Sequence, residues 1–184
     1  MHNYIDTLNL EPHIEGGYFG VFYKSKDKII INDKRYANES QQGMQNFNVE
    51  RHAGSSIYFL LEKEDYSAWH RIKSDEIWHY YDGGSAIDIH TINEHGKLET
   101  FTLGNPRLIK NAAFQVVMKA GTWFAAELRD KQSFALAGCT VCPAFEYADF
   151  ELAAIRRDEL VAQYPELKEI IDKFIGSECV EVKK

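Results

Sequence analysis

The chain has 184 residues, with 21 Lys and Arg against 28 Asp and Glu, a formal charge of −7 with His neutral. That length suits one domain with a sizeable core, and an acidic balance with no basic stripe disfavours a nucleic-acid surface. No apolar run approaches the ~20 residues of a membrane helix, the polar start lacks a signal-peptide core, and three cysteines cannot all pair within one chain, which points to a reducing cytoplasm.

Residues 2–10 read as a short helical turn, with Ile5, Leu8 and Leu10 apolar. Glu11 to Gly17 (EPHIEGG) is turn chemistry, because paired glycines supply backbone angles that other residues avoid. Tyr18 to Tyr23 (YFGVFY) follows as an aromatic strand, and Ile29–Ile31 as a second short one. The polar stretch from Asn32 to Gly54 is long for a loop in a compact domain, so it is either a flap or partly a strand. From Ser55 onward, strand patterns come at short intervals: 55–61, 67–73, 76–81, 85–92, 97–103, 114–119, 122–128 and 133–141. Short strands with tight Gly-containing connections and no intervening helices describe an antiparallel sandwich or barrel.

The pattern changes after Pro143. Asp149 reads as the cap of a helix through Gln163, and Pro165 opens a second helix that ends at Gly176. Both are expected on the outside of the barrel. One domain over 1–184 follows, with the barrel in 55–145 and the helices in 149–176.

Chemistry concentrates between Ser67 and Gly84 (SAWHRIKSDEIWHYYDGG). Strand alternation puts Ala68, His70 and Ile72 on one face and Ser67, Trp69 and Arg71 on the other. After the turn, Glu76, Trp78 and Tyr80 share a face, opposite Ile77, His79 and Tyr81. One imidazole and one carboxyl therefore converge inside the sheets: His70 and Glu76 as an acid/base pair, Tyr80 as a further proton donor. Aromatic walls disfavour the charged form of Glu76 and raise its pKa. Opposed shifts of this kind give a pocket both a donor and an acceptor near neutrality. A buried His–Glu hydrogen bond that only orders the core explains the same residues. Trp78 and Phe124 are candidate walls for a planar ligand, along with Phe22, Tyr58 and Tyr80. Arg71 can bind a carboxylate or phosphate in a bidentate manner, although it shares the outward face. His79 reads as a surface residue and Asp75 as a turn former or lysine partner. Cys139 and Cys142 have redox spacing but lie on a strand rather than at a helix N-terminus, so both read as inert.

His70, Glu76 and Gly83 have the spacing of motif 1 of the cupin superfamily, which this stretch resembles. Ile72 stands where that motif has its second histidine, and Phe124 where motif 2 has its metal-binding histidine. PHIEGGYF, SSIYFLL, HRIKSDEIWHYYDG, AGTWFAAEL and GCTVCPAFEYADFEL together resemble the cupin family DUF985 (cupin_5). The resemblance implies a mainly β fold: a cupin-type double-stranded β-helix, or jelly-roll barrel, with short C-terminal helices. It is often dimeric and lies near sugar-nucleotide epimerases of the RmlC type. It also makes Glu15 and Tyr18 a candidate rim of the pocket. With two of four metal ligands replaced, no metal and no cofactor are expected.

Three functions remain open. The first is a metal-independent epimerase or isomerase acting on a small polar, carbohydrate-like substrate through His70, Glu76 and Tyr80. The second is a module that binds a small ligand without turning it over. The third is a metal-dependent isomerase or dioxygenase that recruits a further ligand. In each, the expected partners are a small molecule and a second copy of the chain contacting through YFGVFY, with no nucleic acid and no membrane.

Overall fold

A computed structural model describes residues 3–36 and 48–176. In chain order the strands are β1 (Glu11–Pro12), β2 (Tyr18–Lys24), β3 (Lys28–Ile31), β4 (Val49–His52), β5 (Ser55–Glu62), β6 (Tyr66–Ile72), β7 (Asp75–Gly83), β8 (Ile87–Ile92), β9 (Leu98–Leu103), β10 (Ala112–Ala113), β11 (Gln115–Met118), β12 (Trp123–Leu128), β13 (Phe134–Cys142) and β14 (Phe150–Leu152). The helices are α1 (Tyr4–Thr7), α2 (Arg157–Gln163) and α3 (Lys168–Lys173). All eight strands expected after Ser55 form, because their alternation lets each bury one face and the turn glycines let the chain reverse.

Two six-stranded sheets result, ordered β1-β2-β5-β13-β7-β11 and β10-β9-β8-β12-β6-β14, with β3 and β4 as a separate hairpin. The fold is mainly β, as expected, but the two sheets do not close into a barrel. The edge strands β1, β10 and β14 are two or three residues long and β11 is four, too short to carry a ladder across the gap. The sheets are held together instead by facing side chains. Phe59, Leu61, Trp78, Ile87, Ile89 and Phe124 are almost fully buried between them, each contributing about 1.5–3 kcal/mol of apolar burial.

A second apolar layer lies on the outer face of the other sheet. Trp69, Ile92 and Trp123 are covered there by Leu160, Ile171 and Phe174 from the C-terminal helices, and Trp69 Nε1 donates to the Ile170 carbonyl at 2.9 Å. These helices pack outside the sheets, as expected. On the first sheet's outer face, α1 and Leu10 cover Leu60 and Leu136. Phe22 and Tyr23, expected to meet a second copy, remain largely exposed.

Of the two alternatives for the polar stretch after Asn32, part of it is a strand, since Val49–His52 pairs with Lys28–Ile31; residues 37–47 of that stretch lie outside the described residues. The C-terminal segment needs correction, because Asp149 does not cap a helix. It closes a 3-10 turn, Tyr147–Asp149, and accepts from Arg51 Nε at 2.6 Å and Nη2 at 2.9 Å. The chain then adds Phe150–Leu152 to the open edge of β6, and the first C-terminal α-helix begins only at Arg157. The edge hydrogen bonds and the buried ion pair outweigh the local capping preference.

Candidate functional site

The site starts from the turn between β1 and β2. Gly16 N donates to the His13 carbonyl at 3.1 Å and His13 N to the Gly17 carbonyl at 3.0 Å. Gly16 sits at φ +106°, and a Cβ there would run into the Tyr66 carbonyl oxygen, so only glycine lets the turn press against β6. Ala68 N then donates to the Glu15 carbonyl at 2.7 Å, and the Glu15 side chain is carried inward.

A β-bulge completes the arrangement. Across β12 and β6, Phe124 opposes His70 and Ala126 opposes Ser67, so β6 uses one residue more than β12. Ser67 and His70 therefore both face inward. Ser67 Oγ donates to Glu15 Oε1 at 3.1 Å, and His70 Nε2 lies 3.3 Å from Glu15 Oε2. His70 Nδ1 donates to the Ala68 carbonyl at 2.7 Å. His13 Nδ1 approaches the same Oε2 at 3.6 Å, an ion-pair distance rather than a hydrogen bond.

Glu15, His70 and Glu76 are only 7%, 2% and 7% exposed. Burial would raise the Glu15 carboxyl, but the imidazoles of His70 and His13, together with the hydrogen bond from Ser67, hold it down at about 2. Glu76 has no such support. Burial and the Glu15 charge push it up to about 8, against a partial offset from the Cys139 thiol and His13. Burial lowers His70 despite Glu15. At His13 burial acts the same way but is overcome by Glu15, and the net shift is upward. Cys139 is raised by burial and by Glu76, so it stays a thiol.

These groups floor a cavity of ≈ 370 Å³ between the sheets, walled by Phe19, Ile57, Ile72, Val141, Phe145 and Phe150. Its mouth carries Glu11, Lys24, Glu146 and Tyr147, with Lys24 Nζ donating to Glu146 Oε1 at 2.7 Å.

A model of the Cupin superfamily (DUF985) matches residues 2–153. The chain belongs to that family. A crystal structure of a protein from Shewanella oneidensis is 31% identical, at a TM-score of 0.77 over 97% of this chain and 100% of that one. A hypothetical protein from Leishmania major is 26% identical, at a TM-score of 0.76 over 95% of this chain and 97% of that one. Oxalate decarboxylase from Bacillus subtilis, at 13% identity and a TM-score of 0.51 over 91% of this chain and 37% of that one, shares the fold. No curated protein matches.

In this cupin the sequence-predicted site residues are only partly brought together. His70, Glu76 and Glu15 meet in the cavity, but His70 pairs with Glu15 rather than with Glu76. Tyr80 points inward yet donates to the Gly83 carbonyl at 2.5 Å and does not line the cavity. Tyr18 packs on the outer face against the cluster of Leu10, Leu60 and Leu136. Arg71 also faces outward, with Nε donating to Glu151 Oε2 at 2.7 Å and its guanidinium 4.5 Å from the Trp123 ring. Trp78 and Phe124 belong to the core cluster, and Phe124 reaches the site only as the ring against His70, centroids 4.1 Å apart. His79 bonds Thr140 and Gln115, and Asp75 pairs with Lys119.

Sequence reading missed His13, Ser67, Cys139, Phe145 and Phe150 as site residues. His13 had a usable pattern, since it precedes Glu15 by two in the PHIEGG turn. Ser67 required the bulge and Phe150 the β14 pairing; Cys139 faces inward by the plain alternation of β13, and Phe145 lies beyond the end of that strand.

The metal site that the cupin fold implies does not fit these residues. Ile72 and Phe124 carry no donor, and His70 Nε2 is already engaged by Glu15. Among the described residues, no group of three His, Cys, Asp or Glu could hold a metal ion. Nor is any described helix long and apolar enough to cross a membrane.

Proposed function

We propose that this cupin binds a small molecule in the cavity and moves a proton on and off it, as an isomerase or epimerase does, with its own side chains. One observation carries the reading: Glu15 with His70, and Glu76, face the same cavity from environments that drive the two carboxyls in opposite directions. Two titrating groups with separated pKa values are how a single pocket supplies an acid and a base at one pH. Glu76 in its neutral form donates. The Glu15–His70 pair accepts, with Glu15 stabilising the imidazolium that forms and the Ala68 carbonyl fixing the tautomer. Such proton transfer accounts for about 10²–10⁴-fold of rate.

One observation favours the second reading, a non-catalytic binding module. Both Glu15 oxygens already have partners, in Ser67, His70 and His13, which is how a purely structural network is satisfied.

Deuterium wash-in separates the two even while the substrate is unidentified. Incubated in D₂O with a mixture of small aldehydes and ketones, the catalyst incorporates solvent deuterium into one component, and Glu76→Gln loses at least about 10²-fold of that rate. A small-molecule adduct retained in native mass spectrometry, with no deuterium incorporation at any pH from 5 to 9, leaves the binding module standing and sinks the catalyst.

A further inference from the structure

The cavity floor is polar but its charge is already balanced. The Glu15 carboxylate is met by Ser67, His70 and His13, and Glu76 is kept neutral by burial beside it. The one ammonium at the lining, Lys24, is spent on Glu146 at the mouth. Arg71, the guanidinium that could have held a carboxylate or phosphate, lies outside the cavity on Glu151 and Trp123. An anion entering the cavity finds no free cation and meets the Glu15 charge. A cation that passes Glu11 at the exposed mouth finds no free carboxylate among the described residues of the floor, where Glu15 is already paired. Desolvating either without a partner is costly.

The walls set the shape. Phe19, Ile57, Ile72, Val141 and Phe150 offer no hydrogen bonds, so ring hydroxyls of a carbohydrate turned toward them would lose their water partners, and Ser55 with the mouth residues could replace only a few. The aromatic rings meet edge to face, His13 on Phe19 at 4.7 Å and Phe145 on Phe150 at 5.7 Å between centroids, and such pairs receive flat apolar groups. At the floor, His13 Nδ1 is buried without a hydrogen-bond partner, an unfulfilled group beside the Glu76 carboxyl. A ligand therefore gains from one polar end and loses from others.

We infer that the cavity takes an uncharged, flat, mainly apolar molecule carrying a single hydrogen-bonding end, and discriminates against carboxylates, phosphates, amines and free sugars. This rests on the reading of the cavity as the ligand site and narrows its substrate from the carbohydrate-like class.

A matched probe series isolates the charge. Benzamide, benzoate, phenyl phosphate and benzylamine share one ring and differ at one end. By ligand-observed NMR titration of the full-length chain at pH 7, benzamide should bind at least about tenfold more tightly than each charged probe, a gap of about 1.4 kcal/mol. Val21→Trp, at a position that lines the cavity yet is 65% exposed, and Ile57→Phe should each weaken benzamide with an unchanged melting curve. A charged probe that matches benzamide overturns the proposal, as does benzamide binding indifferent to both fillers, or no binding by any probe. The titration needs no turnover. Selective benzamide binding with no deuterium wash-in removes the catalyst and leaves this ligand class intact.

Discussion

His70 Nε2 lies 3.3 Å from Glu15 Oε2 while its Nδ1 donates to the Ala68 carbonyl at 2.7 Å. A carbonyl only accepts, so Nδ1 carries hydrogen, and the neutral ring would aim a lone pair at the carboxyl. The contact turns favourable when a proton arrives between the two groups, so the pair is primed to accept one. Glu15 thus acts on both imidazoles, raising His70 against burial and His13 above its usual value. In Glu15→Gln, imidazole NMR titrations should show both histidines lowered. Glu15 is held below its unfolded value, so its stabilisation is present above about 4.5 and lost as pH falls toward 2. The variant should accordingly lose about 3 kcal/mol in urea unfolding at pH 7. Unmoved histidines would show that Glu15 acts on neither ring.

Glu76 has the opposite sign. Its pKa is raised from 4.5 to about 8 by burial and by Glu15, so between those values the unfolded chain binds fewer protons than the native one. Stability therefore falls as pH rises through that window and is flat above it. Glu76→Gln keeps an acceptor for the Cys139 thiol and removes the penalty. The melting temperature of the variant should match wild type near pH 5 and exceed it at pH 8.5 by several degrees. Equal melting temperatures at both pH values would mean that Glu76 is solvated and ionises normally.

The strands were legible because apolar alternation and turn glycines are local. From Ser55 on, no expected strand is missing, and the short edges alone decide that the sheets stay open. The site was less legible, for two physical reasons. Sequence neighbours along a strand are not spatial neighbours: at about 3.3 Å per residue, Tyr80 lies roughly 13 Å beyond Glu76 on the same face and bonds Gly83 instead. Conversely, Glu15 meets Ser67 and His70 only because a bulge puts two residues of opposite nominal parity on one face. Alternation has no term for that extra residue.

Gly16 and Gly121 offer a controlled comparison. Both sit at positive φ, +106° and +78°. A Cβ on Gly16 meets the Tyr66 carbonyl oxygen, whereas a Cβ on Gly121 meets nothing within 4 Å. Gly121→Ala should cost only the backbone strain, about 1 kcal/mol. Gly16→Ala adds a clash that pushes the β1–β2 turn off β6 and withdraws Glu15, so it should cost clearly more and also lower the histidine pKa values as Glu15→Gln does. Equal losses for the two variants would show that the turn does not press on β6.

Arg51 fixes the cavity wall from a distance. Its guanidinium grips the buried Asp149 carboxylate and lies 6.0 Å from the centroid of the Tyr36 ring. The Tyr36 hydroxyl contacts Ser74 Oγ at 2.8 Å, Ser74 Oγ donates to the Pro143 carbonyl at 2.9 Å, and Ala144 N donates to the His52 carbonyl at 2.9 Å. The β3–β4 hairpin thereby holds the segment that supplies Phe145, Glu146, Tyr147 and Phe150 to the cavity. Removing the cation leaves Asp149 buried with only Lys73 at 3.6 Å, a loss of about 2–3 kcal/mol. In Arg51→Leu, hydrogen exchange should accelerate at residues 144–150 and 49–52 and stay unchanged in the outer layer formed by α2 and α3, with weaker benzamide binding. Arg51→Lys, which keeps the charge but not the two-pronged geometry, should fall between. Exchange that accelerates uniformly across the chain would mean that Arg51 supports the whole fold rather than this wall.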